Sequence, residues 1–142
     1  MTDDDGRRRG EATPHPYRLT TGVDLIEIAR IEAAIARFGD RFLQRIYTPA
    51  ELAYCRGRAS ELAARFAAKE AVAKALGVGL AFMAADGVGC REIEVLSDER
   101  GKPTVVLHGR ARARAEALEL RDWALSLSHA RDIAMALVVA AS

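Results

Sequence analysis

Glu70 is a carboxylate set among alanines. On a helix its neighbours at spacings of three, four and seven are Ala63, Phe66, Ala67 and Ala73, with Lys74 the one polar residue among them, so Glu70 falls on the apolar side. A carboxylate withdrawn from water protonates or acquires a cation. The plainer alternative is a Glu70–Lys74 pair at i, i+4 on a solvated edge, worth about 0.3–0.5 kcal/mol. A second acid, Asp24, precedes the first apolar-periodic residues of the chain. There it serves either as an N-cap accepting a backbone N–H or as an oxygen ligand for a metal at a helix start.

The segments that must position these acids follow from periodicity. Residues 62–76 are almost wholly helix-favouring and are followed by Gly77, a residue type that stops helices. Residues 19–23 form a short β-prone run that delivers Asp24 to a helix whose stripe is Ile28, Ile31, Ile35 and Phe38, closed by Gly39. Thr48-Pro49-Ala50-Glu51 has the form of a capping box opening a short helix through about Tyr54. Beyond Gly77 an irregular loop carries Gly79, Gly87 and Gly89. Ile93 and Val95 alternate with Glu92 and Glu94, and a turn at Asp98-Glu99-Arg100-Gly101 leads into the β-branched run at residues 104–108, which predicts a hairpin. An alanine- and arginine-rich helix over residues 110–120 and two strands over 123–128 and 133–140 complete the chain. Helices first, then an antiparallel meander interrupted by one helix, predict an α+β domain.

Composition narrows the class. With 142 residues, half of them hydrophobic, residues 19–142 make one core, while residues 1–18 mix acids, arginines, glycines and prolines and are expected to form a disordered tail containing an inert His15. A net charge of +1 gives no support to nucleic-acid binding. The longest apolar run, residues 133–141, is far short of the ~20 residues of a membrane helix, and residues 10–14 lack the apolar segment of a signal peptide. Cys55 and Cys90 have no metal-ligand spacing, which fits a reduced cytoplasmic setting.

Gly22-Val23-Asp24 with Ile28-Ala29-Arg30-Ile31-Glu32, followed by Arg65-Phe66-Ala67-Ala68-Lys69-Glu70-Ala71, Lys74 and Gly77-Val78-Gly79, resembles the two signatures of the holo-acyl-carrier-protein synthases, the small 4′-phosphopantetheinyl transferases. Gly101-Lys102-Pro103 and Ser126-Leu127-Ser128-His129 extend the resemblance from Leu19 to the C-terminus. It implies transfer of the 4′-phosphopantetheine arm of coenzyme A to a serine of an acyl carrier protein for fatty acid biosynthesis, with release of adenosine 3′,5′-bisphosphate and a requirement for Mg²⁺. By the same resemblance Asp24 and Glu70 hold the metal, and two carboxylates with phosphate oxygens and water satisfy the octahedral preference of Mg²⁺.

The remaining site residues are also implied by the resemblance. Lys69 and Lys74 are expected to reach phosphates, Arg65 to clamp one bidentately, and the backbone at Gly77 and Gly79 to approach the nucleotide. Ser128 and His129 are expected at the coenzyme across a subunit boundary of a homotrimer, with residues 133–140 either lining that boundary or forming the centre of a buried sheet. Arg30 is expected to dock the acidic carrier, with Arg37, Arg41 and Arg45 extending the basic face. The base that takes the serine proton stays open among Glu70, another carboxylate and a metal-bound water. Two departures stand out: Thr20 replaces a family glycine, which puts close packing of the first strand in question, and Val78 replaces a threonine. The alternatives are the same chemistry on a polyketide or other secondary-pathway carrier, and a coenzyme A binding module without turnover.

Overall fold

The computed structural model describes residues 19–80 and 87–142, so the expected tail and the centre of the glycine-rich loop lie outside the described residues. In chain order the elements are β1 (Leu19–Glu27), α1 (Ile28–Phe38), α2 (Asp40–Ile46), α3 (Pro49–Cys55) and α4 (Ala59–Ala75). A 3₁₀ turn (Cys90–Glu92) then leads to β2 (Ile93–Ser97), β3 (Pro103–Leu107), α5 (Gly109–Ala117), β4 (Asp122–Ala130) and β5 (Ile133–Ala141).

The α+β class holds, and the strands divide into two sheets rather than one meander. β2 and β3 form a separate hairpin, while the larger antiparallel sheet has the order β1-β5-β4, with the earliest and latest strands side by side. β1 is longer than its β-prone core because the nine residues of β5 give it a ladder running from Leu19↔Ala141 to Glu27↔Ile133. Asp24 therefore sits in mid-strand opposite Ala136, and the helix begins only at Ile28, whose N–H donates to Asp132 O at 2.8 Å. That corrects the N-cap role: the cap position is Glu27, with no side-chain cap.

β5 alternates cleanly. Ala134, Ala136, Val138 and Ala140 are fully buried against α4, whereas Ile133, Met135 and Leu137 are exposed. The inner residues are small because α4 lies close, presenting its own Ala63, Ala64, Ala67, Ala68, Ala71 and Ala75, all buried. The approach is tightest at Gly22, where a Cβ would come within 1.9 Å of Ala71 O. Thr20, in place of the family glycine, does not disturb this packing: its hydroxyl donates to Ala75 O at 3.0 Å.

Helix ends follow the sequence. Gly39, at φ 57°, closes α1, and the chain re-enters a helix at once as α2, an element that its short length conceals in the periodicity. The capping box of α3 is formed, with Thr48 Oγ1 accepting from Glu51 N and Glu51 Oε1 accepting from Thr48 N. At the end of α4, Gly77 takes φ 70°, and the N–H groups of Gly77 and Val78 return to Lys74 O and Ala73 O, both at 3.0 Å, a Schellman closure.

Candidate active site

Three of the expected residues converge where β1 crosses α4. Thr20, Gly22, Asp24 and Ile26 share the face of β1 turned toward the helix, and the close contact at Gly22 brings the next inward residue, Asp24, to the turn of α4 that carries Glu70 and Lys74. Lys74 Nζ donates to Asp24 Oδ1 and to Val23 O, each at 3.0 Å. Lys74 thus spans the two elements instead of pairing along the helix with Glu70. It remains more than half exposed, while Asp24 is largely covered.

Glu70 is half-buried, and its carboxyl is pushed up to about 7, first by burial, then by the negative charge of Asp24 and a hydrogen bond between the two acids. Lys74 and Arg30 pull the other way. Arg30 therefore belongs to the electrostatics of this site as well as to the surface of α1. Two hard oxygen donors held against their mutual repulsion fit a divalent cation, whose charge would offset that repulsion. Among the described residues no group of three or more His, Cys, Asp or Glu is placed to hold a metal, so phosphate oxygens and water would complete an octahedral shell.

Two expected phosphate contacts are corrected. Lys69 is fully buried, donating to Glu51 Oε1 at 2.7 Å, to Cys90 O at 3.0 Å and to Ile93 O. One position along α4 from Glu70 turns the side chain by about 100°, which carries Lys69 into the core. Arg65 is buried as well. Its fork is committed to Glu61 Oε2 at 2.8 Å and Ser97 Oγ at 3.1 Å, with the guanidinium 4.2 Å from the centre of the Tyr54 ring, so no free bidentate clamp is available.

His129 and Ser128 stand apart from the carboxylates. His129 Nε2 lies 3.9 Å from Glu61 Oε1, and at ~1.5 Å rise per residue the stretch of α4 from Glu61 to Glu70 spans ~13 Å. Ser128 pairs with Met135 and lies across β5 from Leu25, on the outward face of the sheet. Gly77 stands two residues beyond the end of α4, but its N–H and that of Val78 close the helix and are not free for a nucleotide. Gly79 O accepts from Val88 N at 2.9 Å, pinning one edge of the loop.

Sequence reasoning missed two residues. Gly22 was legible only as part of a motif, although it sets the approach of β1 to α4. Glu51 looked like a cap alone, yet it also neutralises Lys69; the signal was a lysine set at helical spacing among Leu62, Phe66, Val72, Ala73 and Leu76, which requires a buried acid somewhere.

A family model described as the 4′-phosphopantetheinyl transferase superfamily matches residues 20–138. The chain belongs to that superfamily. Among its relatives is a holo-[acyl-carrier-protein] synthase of Herpetosiphon aurantiacus, 56% identical over 123 residues, which are 85% of this chain and 97% of the relative. The solved structure of the Helicobacter pylori holo-[acyl-carrier-protein] synthase in complex with coenzyme A matches with a TM-score of 0.76 at 30% identity, covering 85% of this chain and 99% of that one. The Neisseria meningitidis enzyme of the same name matches with a TM-score of 0.75 at 36% identity, over 87% and 98% of the two chains. The transferase fold therefore frames the carboxylate pair, and both acids lie within the matched residues.

Proposed function

We propose that this transferase moves the 4′-phosphopantetheine group of coenzyme A onto a serine of an apo-acyl carrier protein, for fatty acid biosynthesis in the cytoplasm. In the reaction the serine oxygen bonds to the β-phosphorus, the bond from that phosphorus to the oxygen of adenosine 3′,5′-bisphosphate breaks, and the serine proton is released. The observation that carries the proposal is the meeting of Asp24 and Glu70, from β1 and α4, in a chain of this family.

Asp24 and Glu70 would hold Mg²⁺, which supplies charge neutralisation on phosphate oxygens. Lys74, exposed at the rim and bonded to Asp24, is placed to orient the diphosphate. The ends of α4 and its loop at Gly77 and Gly79 border the nucleotide side. Arg30 faces the carrier, and the small basic and aromatic hollow lined by Phe38, Arg41, Phe42 and Arg45 extends that face, offering apolar rings beside cations to an acidic helical partner.

The assembly is read as a homotrimer with Ser128 and His129 serving the site of a neighbouring copy. What supports this is the exposed apolar face of the larger sheet, formed by Leu19, Val23, Leu25, Ile133, Met135 and Leu137, together with the ~13 Å of α4 between Glu61, which His129 approaches, and Glu70. No helix among the described residues is long and apolar enough to cross a membrane. The test is to incubate the protein with apo-carrier, coenzyme A and Mg²⁺ and weigh the carrier. Gain of the phosphopantetheine mass is expected, and Asp24→Ala and Glu70→Ala should each abolish most of it. No gain with any of several apo-carriers would favour a coenzyme A binder without turnover, and gain with a polyketide carrier alone would move the acceptor to a secondary pathway.

A further inference from the structure

Lys69 and Glu51 make an ion pair in which both side chains are completely inaccessible. Its construction is elaborate for two charges that a pair of apolar residues of the same volume could replace without loss of stability. Lys69 Nζ donates to Glu51 and to the carbonyls of Cys90 and Ile93, so one ammonium ties α4 to the 3₁₀ turn and to the start of β2. Glu51 in turn accepts from Thr48 N at 2.8 Å through Oε1 and from Val95 N at 3.0 Å through Oε2, joining α3 and β2 to the same point. Each donor of Lys69 and both oxygens of Glu51 are used, which fixes the direction of the lysine stem.

That direction matters because Lys69 precedes Glu70. Besides Lys69, α4 buries Leu62, Arg65 and Val72, but most of its buried residues are alanines, and small side chains leave little to resist rotation or sliding about the axis. A long side chain clamped at its far end by acceptors from three elements does resist it. The next residue then projects at a set angle, toward Asp24.

We propose that the buried Glu51–Lys69 pair is a positioning device that sets the azimuth of α4 and thereby holds the Glu70 carboxylate against Asp24. The inference rests on the assignment of Asp24 and Glu70 as the divalent-cation ligands. Glu51 and Lys69 touch neither substrate nor cation, and they act through Glu70.

The test measures Mn²⁺ binding by electron paramagnetic resonance, with thermal unfolding as a control. Two variants are compared with the wild type: the neutral pair Glu51→Gln with Lys69→Met, and Glu51→Asp, which keeps both charges but draws the anchor back by one methylene. The double variant is expected to stay folded and to bind Mn²⁺ at least ten-fold more weakly, and Glu51→Asp about three-fold more weakly. In turnover, the KM for Mg²⁺ should rise in step while the KM for the carrier stays unchanged. Wild-type affinity in either folded variant would overturn the proposal, as would loss of fold in both, which would make the pair a stability element alone. If wild-type protein binds no Mn²⁺, or Asp24→Ala and Glu70→Ala leave its binding intact, the ligand assignment itself has failed.

Discussion

Glu70 carries a testable signature of two acids crowded together. Its carboxyl titrates near 7 in the folded chain against an ordinary 4.5, so the folded state binds that proton more tightly than the unfolded state. Its contribution therefore favours the fold below 4.5 and is lost as pH rises through about 7. Without divalent cations, Glu70→Gln should melt above wild type at about pH 8, and that advantage should shrink on going to about pH 5. Adding Mg²⁺ at the higher pH should raise the wild-type melting temperature and leave the variant unmoved. Arg30 tests another surface of the same neighbourhood: Arg30→Glu should raise the KM for the carrier protein far more than that for coenzyme A, and equal increases in steady-state kinetics would remove its docking role.

At the scale of elements, the α4–β1 contact and the Lys69 anchor make opposite demands on side-chain size. Gly22→Ala places a methyl where Ala71 O already stands, and relief requires β1 to lift from the helix. A loss of about 1–3 kcal/mol or more in urea unfolding is expected, with weakened Mn²⁺ binding because Asp24 moves with the strand. Lys69→Met alone strands Glu51 as an unpaired buried acid and should cost about 3–5 kcal/mol in the same measurement, more than the double variant. The helices were largely readable from sequence because their signals are local: the capping box at Thr48, the stop at Gly39 and the alanine run of α4 each act within a few residues. Asp24 shows the limit. Its neighbours in sequence suggest a cap, but its conformation is decided by Ala136, which lies in a strand far along the chain. The same holds for Lys69 and Arg65, which the family resemblance puts at phosphates although helix rotation turns both into the core.

For the whole molecule, the exposed apolar side of the larger sheet is the feature least compatible with a solitary chain. Met135 and Leu137 on the central strand, with Val23 and Leu25 beside them, form a continuous patch rather than scattered residues. Analytical ultracentrifugation should find a species of about three times the 15.4 kDa chain mass, and Leu137→Glu should dissociate it and depress turnover together. The sequence shows the alternation of β5, yet which side of it is buried in this chain's core and which is left exposed is a distinction that pattern alone does not make.

The pairing of β1 with β5 also governs how the protein is born. Asp24 belongs to the earliest described strand, and the strand that completes its ladder is made last. During synthesis α1 to α4 can form as local helices, but the acid that meets Glu70 has no sheet to join until residues 133–141 have left the ribosome. Nascent chains arrested before that point should carry helical signal and fail to retain Mn²⁺, whereas chains that include residues 133–141 should retain it.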